Sequence, residues 1–160
     1  MKTNDAGLLM EDGVHPARPV DVPLLVALCA DHAGYEKASY DPAGKTRSLQ
    51  LALFANPPRL YAWLAWKGGI PIGYATASVE FSTFNACEYV HMDCLFVDAK
   101  ARGNGTGEIL MKKVIALAQR LDLREVQWQT PEWNHDAIRF YARQGALAKA
   151  KHRFVLTLPQ

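Results

Sequence analysis

Arg102-Gly103-Asn104-Gly105-Thr106-Gly107 is the stretch on which the reading of this chain turns. An apolar run, Glu88–Val97, stops just before it. A helical pattern starts just after it, with Ile109, Leu110, Val114, Leu117, Ala118 and Leu121 on one face and Lys112, Lys113, Gln119 and Arg120 away from it. The glycines therefore sit where a strand hands over to a helix. The start of a helix leaves N–H groups unpaired and carries the positive end of the helix dipole, and both attract anions. Glycine lets backbone come close to a phosphate and adopt positive φ, and Asn104 tolerates such angles too. Arg102 adds a permanent charge. The loop is expected to hold a phosphate or diphosphate. A nucleotide P-loop would need Lys and Ser/Thr after its last glycine, but Glu108 follows Gly107. A dinucleotide loop spaces its glycines G-x-G-x-x-G, whereas these alternate. The plain alternative is a glycine-rich turn with no ligand.

Working outward, residues 1–13 read as a loose leader, and a short strand is expected at Val14–Arg18. Asp21 can cap a helix to about Asp31, with Pro23 in its first turn and Leu24, Leu25, Leu28 and Cys29 on its apolar face. A loop from Tyr35 past Pro42 and Gly44 precedes a helix at Thr46–Phe54, which Asn56-Pro57-Pro58 ends. Arg59–Trp66 and Ile70–Phe81 form a hairpin across Lys67-Gly68-Gly69, and Glu88–Val97 follows a turn at Ser82–Ala86. Beyond the glycine loop come a strand at Glu125–Gln129, a helix at Asn134–Arg143 ended by Gly145, and a strand at Phe154–Leu158. Antiparallel strands followed by strand–helix–strand units make a mixed α/β sheet, and residues 14–160 are expected to form one domain. Tyr61, Trp63, Leu64 and Trp66 read as core packing rather than a base-stacking surface.

Composition narrows the function. Eighteen Lys and Arg face sixteen Asp and Glu, for a net charge of +2. Nucleic-acid binding needs a dense basic stripe, and Lys149–Arg153 is too short to be one. No apolar run approaches the ~20 residues that span a bilayer, and the leader lacks the basic start of a secretory signal. Cys29, Cys87 and Cys94 are an odd set without metal-ligand spacing, and the five histidines are scattered. A cytoplasmic protein with reduced thiols and no metal is expected.

The strand Val90–Val97, then Arg102-x-x-Gly105-x-Gly107, a helix, a strand, and Asn134 to Tyr141 resemble the GNAT acetyltransferase superfamily. The resemblance implies a GNAT fold: a mostly antiparallel sheet of six to seven strands that splays after the fourth, with about four helices. It implies acetyl-CoA as co-substrate. Backbone N–H groups of Gly103, Asn104, Gly105, Thr106, Gly107 and Glu108 would hold the diphosphate beside Arg102. Leu95, Phe96 and Val97 would pair with the pantetheine, and Asn134 and Ala137 would contact CoA. Tyr141 would protonate the departing thiolate. A homodimer is common in the family. Tyr35-Glu36, Asp93, Glu132-Trp133-Asn134, Phe140-Tyr141 and Gly145-Ala146 look more narrowly like the spermidine/spermine (diamine) branch. That branch has Glu, proposed as the base, where this chain has Asp93, one methylene shorter. It also has an acidic residue in the preceding turn, where Ser82-Thr83-Phe84-Asn85 offers none.

A primary alkyl amine of pKa ~10.4 is neutral in only about one molecule per thousand near pH 7.4, a cost of ~4 kcal/mol. Asp93 can take the excess proton, directly or through water. Tyr35, Glu36, Glu80 and His91 are the further candidates for amine contact. Alternation puts His91, Asp93 and Tyr89 on one strand face and Glu88 on the other. A backbone N–H near Leu95 can meet charge on the carbonyl oxygen. The competing uses are structural: Asp93 as a backbone-bonded carboxylate, Tyr141 packed on Phe140, Asn134 as a helix cap, and His91 as a satisfied neighbour. A covalent route through Cys94 has no histidine near it in sequence, and Asp93 would raise its pKa. The readings that follow are acetyl transfer to a small cationic amine (a diamine, polyamine or aminoglycoside-like molecule), acetylation of a protein N-terminus or lysine, and a non-catalytic acetyl-CoA-binding regulator.

Overall fold

The computed structural model describes residues 10–159. Its elements are β1 (Gly13–Pro16), α1 (Val22–Tyr35), α2 (Lys45–Leu53), β2 (Tyr61–Lys67), β3 (Ile70–Ser82), β4 (Cys87–Val97), α3 (Thr106–Arg120), β5 (Val126–Gln127) and α4 (His135–Arg143). The chain falls into two compact units, one ending at Trp128 and one beginning at Gln129. The leader expected over residues 1–13 lies, as far as residue 9, outside the described residues; its last residue, Gly13, already pairs with Trp66 in the sheet.

The first unit is built on one mixed sheet of order β1-β2-β3-β4-β5. The first four strands run antiparallel, and β5 is parallel to β4. Above one face, Val22, Leu25 and Leu28 of α1 and Leu53 of α2 pack with Ala62, Leu64 and Trp66 of β2, Tyr74 of β3 and Phe96 of β4. Helix α3 lies against β3 and β4 and buries Leu110, Met111, Val114, Leu117 and Ala118. Trp63, Leu64 and Trp66 are buried, as the core reading of that strip requires.

Several expected boundaries move, each for a local reason. Arg59 and Leu60 stay outside β2 because their N–H groups bond the carbonyl of Ala52. Helix α1 continues four residues past Asp31, because His32 and Tyr35 in its last turn pack on Phe96. Asp21 does not cap α1 with its side chain. Its buried carboxylate instead takes three bonds of 2.8–2.9 Å from the backbone N, Nε and Nη2 of Arg18, a charge-assisted set that outcompetes a single amide. Ile109 is 45% exposed and Met111 takes its place on the buried stripe of α3, which centres on Leu110, Val114 and Leu117.

The sheet has five strands rather than six or seven. β5 is two residues long rather than the five of Glu125–Gln129, and Phe154–Leu158 forms no strand. That second segment has the composition of a strand. A strand also needs a ladder partner, however, and α4 is the one helix or strand among the described residues of the second unit.

Gly73 sets how closely β3 approaches the end of β4. It pairs with Val97, and a Cβ placed on it would lie 2.6 Å from the carbonyl oxygen of Phe96 and 3.1 Å from Cα of Val97. Both obstacles are backbone, so neither can swing aside. Gly73→Ala is expected to lower stability by about 1–3 kcal/mol through this overlap, read as a reduced urea midpoint at unchanged m-value. A midpoint equal to wild type would show that β4 can move away freely.

Candidate active site

Strand β4 carries the first half of the site, and its pairing is irregular on both sides. Toward β3 the register runs Ser78↔His91, Ala77↔Met92, then Thr76↔Cys94, so Asp93 is the extra, unpaired residue of a bulge. The extra residue shifts the alternation by one. His91 and Tyr89 before it and Cys94 and Phe96 after it turn to the same face, the one that α1 covers at Tyr74 and Phe96. Asp93 is exposed and lies beside Cys94, whose Sγ is 3.6 Å from its Oδ2. Toward β5 the ladder holds only at Val90↔Val126 and His91↔Gln127. From Met92 to Val97 that edge of β4 has no strand beside it among the described residues. The splay after the fourth strand is this opening.

The glycine loop follows at once. Gly103 and Gly105 have φ of +82° and +77°, angles that side chains rarely adopt, and a Cβ on either would meet nothing within 4 Å. Both therefore face open space, and the requirement for glycine is conformational. Gly105 is the N-cap of α3 and offers no side-chain cap. The first helical bond runs from the N–H of Ile109 to the carbonyl of Gly105, 3.1 Å. The N–H groups of Thr106, Gly107 and Glu108 precede it and have no acceptor within the helix. An open cradle, three amides without a helical acceptor and the dipole of a 15-residue helix fit a diphosphate. The Glu108 carboxylate is drawn away to Lys112 Nζ at 2.8 Å, and that partner holds its pKa below the usual range.

Arg102 is held rather than loose. Its Nε donates to the carbonyl of Val97 at 2.9 Å, and its guanidinium lies 4.4 Å over the ring of Tyr35 and 5.9 Å from that of Phe96. The last turn of α1 thus packs against Arg102 at the head of the glycine loop. The same turn holds His32, whose ring stacks on Phe96 at 5.0 Å, whose Nδ1 meets the Tyr74 hydroxyl at 2.8 Å and whose Nε2 lies 3.3 Å from Glu36. Burial lowers the His32 pKa, and the Glu36 carboxylate opposes that shift. Tyr74 is driven far up by burial and then by Cys94 and Cys29, so its hydroxyl stays protonated. The Glu36 carboxylate can only accept, so the neutral ring carries its proton on Nε2 and Nδ1 accepts from the Tyr74 hydroxyl. Burial also raises both thiols under this face, Cys94 to about 12 with Asp93 adding to the effect, and Cys29 with Tyr74 and Tyr40 opposing it.

Farther along the face, Glu80 pairs across the ladder with Tyr89 and accepts its hydroxyl at 3.3 Å, while Ser78 donates to the other carboxylate oxygen at 3.3 Å. His91 and Glu80 thus stand toward the start of β4, whereas Asp93 lies beside Cys94 and Glu36 beside His32 toward its end. Sequence reasoning missed His32, Tyr74 and Tyr40. His32 and Tyr74 are contacts made only by packing α1 on β3; an in-phase histidine at the end of an apolar helix was the one available signal.

In the second unit, Asn134 caps α4, its Oδ1 accepting the Ala137 N–H at 3.2 Å. Tyr141 lies seven residues on, so it shares a helix face with Asn134. Its ring meets Phe140 edge-on at 5.3 Å. Both structural uses considered for these residues, cap and ring packing, are thus present. No group of three or more metal-ligating side chains occurs among the described residues, and no helix there is long and apolar enough to cross a membrane.

The family profile described as acetyltransferase (GNAT) family matches residues 25–146. Among curated proteins, the chain is 29% identical over 133 residues to the D-amino-acid N-acetyltransferase HPA3 of Saccharomyces cerevisiae, covering 81% of each. It is 24% identical to a thialysine N-epsilon-acetyltransferase of Caenorhabditis elegans, covering 73% of this chain and 71% of that one. Among solved structures, an aminoglycoside acetyltransferase from an uncultured soil metagenomic sample superposes with a TM-score of 0.77 at 20% identity, covering 91% of this chain and 95% of its own. The open edge of β4, the glycine cradle opening α3 and a profile match that spans most of the sequence agree: the chain belongs to the acetyltransferase (GNAT) family of N-acetyltransferases.

Proposed function

We propose that this chain acetylates the primary amine of a small cationic molecule, a diamine, polyamine or aminoglycoside-like compound, with both substrates bound at once. The observation that carries the reading is that two carboxylates, Asp93 on β4 and Glu36 beside the His32 ring on Phe96, lie along the open stretch of β4, with Glu80 farther along the strand pair. Carboxylates so placed favour a cation over a neutral or anionic acceptor. The three relatives described above are, by name, acetyltransferases for a D-amino acid, thialysine and an aminoglycoside, each a small amine. A cytoplasmic homodimer accompanies this reading on the strength of the family resemblance and three unbridged cysteines.

Acetyl-CoA supplies the acetyl group, activated as a thioester. The N–H groups of residues 103–108 and Arg102 bind its diphosphate, the backbone of Leu95, Phe96 and Val97 aligns its pantetheine, and Asn134 and Ala137 contact it further. Glu36, Glu80 and His91 draw in the ammonium. Asp93 takes the proton that must leave before the nitrogen can attack. Holding both partners in line removes most of the entropic cost of their meeting. A backbone N–H near Leu95 faces the charge that grows on the carbonyl oxygen. Tyr141 gives its proton to the leaving sulfur. Cys94 takes no covalent part: with its pKa near 12 and a carboxylate 3.6 Å away, its thiolate is too scarce to serve as nucleophile at neutral pH.

Release of free thiol from acetyl-CoA across a broad panel of amines, with products identified by mass, tests the activity; a folded protein that releases thiol with none of them would refute it. Tyr141→Phe is expected to lower kcat about 10- to 100-fold with CoA affinity within about twofold of wild type, and unchanged turnover removes Tyr141 from the chemistry. Asp93→Asn is expected to cost about 10²-fold or more at neutral pH and to recover part of the rate as rising pH deprotonates the amine in solution. A rate–pH profile identical to wild type would reject Asp93 as the base. Cys94→Ser is expected to keep kcat within about threefold, whereas a loss as large as that of Asp93→Asn would restore the covalent route.

A further inference from the structure

Tyr35 read in sequence as a contact for the amine, but its ring is already engaged. The guanidinium of Arg102 lies over it at 4.4 Å, so the electron-rich surface that could attract a substrate cation holds a resident one. The second fixing point of Arg102 is the bond from Nε to the Val97 carbonyl, and the third is the ring of Phe96 at 5.9 Å. No carboxylate pairs with Arg102 among the described residues, so nothing there neutralises its charge. An arginine clamped by two rings and a carbonyl is oriented without being discharged. That arrangement suits a group that must meet an anion, because the rotamer freedom of a long side chain is lost before the ligand arrives rather than on binding.

We infer that Tyr35 is a positioning residue for the co-substrate: its ring fixes Arg102 beside the glycine cradle, and position 35 therefore sets affinity for CoA rather than for the amine. The inference rests on the reading of residues 102–108 as the diphosphate site. The ring does the work and the hydroxyl does not, since the contact is between the guanidinium and the aromatic face. It also explains why α1 continues to Tyr35. The last turn of the helix is held by Phe96 and Arg102, so an element that overlies the amine side of the sheet is fastened to the cofactor loop.

Calorimetric titration with CoA tests this. Tyr35→Leu is expected to weaken CoA binding about three- to tenfold, and Tyr35→Phe to bind within about twofold of wild type. In an Arg102→Gln background, Tyr35→Leu should bring no further loss, because the ring then has no charge to hold. The KM for the amine should not move. Equal CoA affinity in wild type and Tyr35→Leu would overturn the inference. So would the same loss with and without Arg102, or a rise in amine KM in place of the change in CoA affinity. Should Tyr35→Leu not fold, pentafluorophenylalanine at position 35, compared with phenylalanine, reverses the polarity of the ring face at similar size, and CoA affinity must fall. A folded wild-type protein that gives no heat with CoA removes the underlying functional reading and this inference with it. A wild type that binds while position 35 is indifferent removes the inference alone.

Discussion

A backbone amide taken out of water must find an acceptor, and this fold leaves two runs of backbone open in consecutive stretches of chain. One is the edge of β4 from Met92 to Val97, beyond the last contact with β5. The other is the first turn of α3, where Gly105 stands at the cap without a side chain to offer. In an ordinary domain such groups are paired or capped. Here strand, loop and helix start follow one another along the chain, and an extended ligand with a diphosphate at one end is the chemistry proposed to complete both. The glycines keep that stretch accessible, and their positive φ angles exclude most other residues on conformational grounds alone.

The other half of the proposed chemistry depends on a single inserted residue. The bulge at Asp93 turns a carboxylate and a thiol to the same face and leaves the carboxylate exposed while the thiol sinks beside Tyr74. Burial then pushes the thiol toward its neutral form. Hydrogen bonding sets the chain Tyr74–His32–Glu36. The Glu36 carboxylate at the rim fixes the tautomer of the neutral imidazole by accepting Nε2–H, and the bare Nδ1 accepts from the Tyr74 hydroxyl. A substrate cation would meet side chains whose orientations are already set, which lowers the cost of binding it.

The parts of this molecule that are legible in sequence are those set by near neighbours in the chain. The glycine loop, the helix after it, the β2–β3–β4 meander and the cap at Asn134 all follow from local sterics and periodicity. Tyr89 and His91 share a face in the sequence pattern, and their register places them opposite Glu80 and Ser78. What was hidden is set by pairing between distant segments. Nothing near Asp93 announces a bulge, because the extra residue exists only relative to β3. Tyr35 looked like the start of a loop because the partners that hold it in α1, Phe96 and Arg102, are far along the chain. Phe154–Leu158 is the converse case, where strand-forming residues find no partner strand among the described residues of their unit. Strand propensity was read correctly there, but the ladder that would realise it is not a local property.

The claim on which the rest depends is that amides at the start of α3 and along the end of β4 receive CoA together. Backbone amide chemical shifts of isotope-labelled protein, followed by NMR as CoA is added, address it residue by residue. The largest saturable changes should fall at Gly103, Gly105, Thr106, Gly107 and Glu108 and at Leu95, Phe96 and Val97. A well-folded protein whose amides in both stretches stay unmoved at saturating CoA would contradict the account.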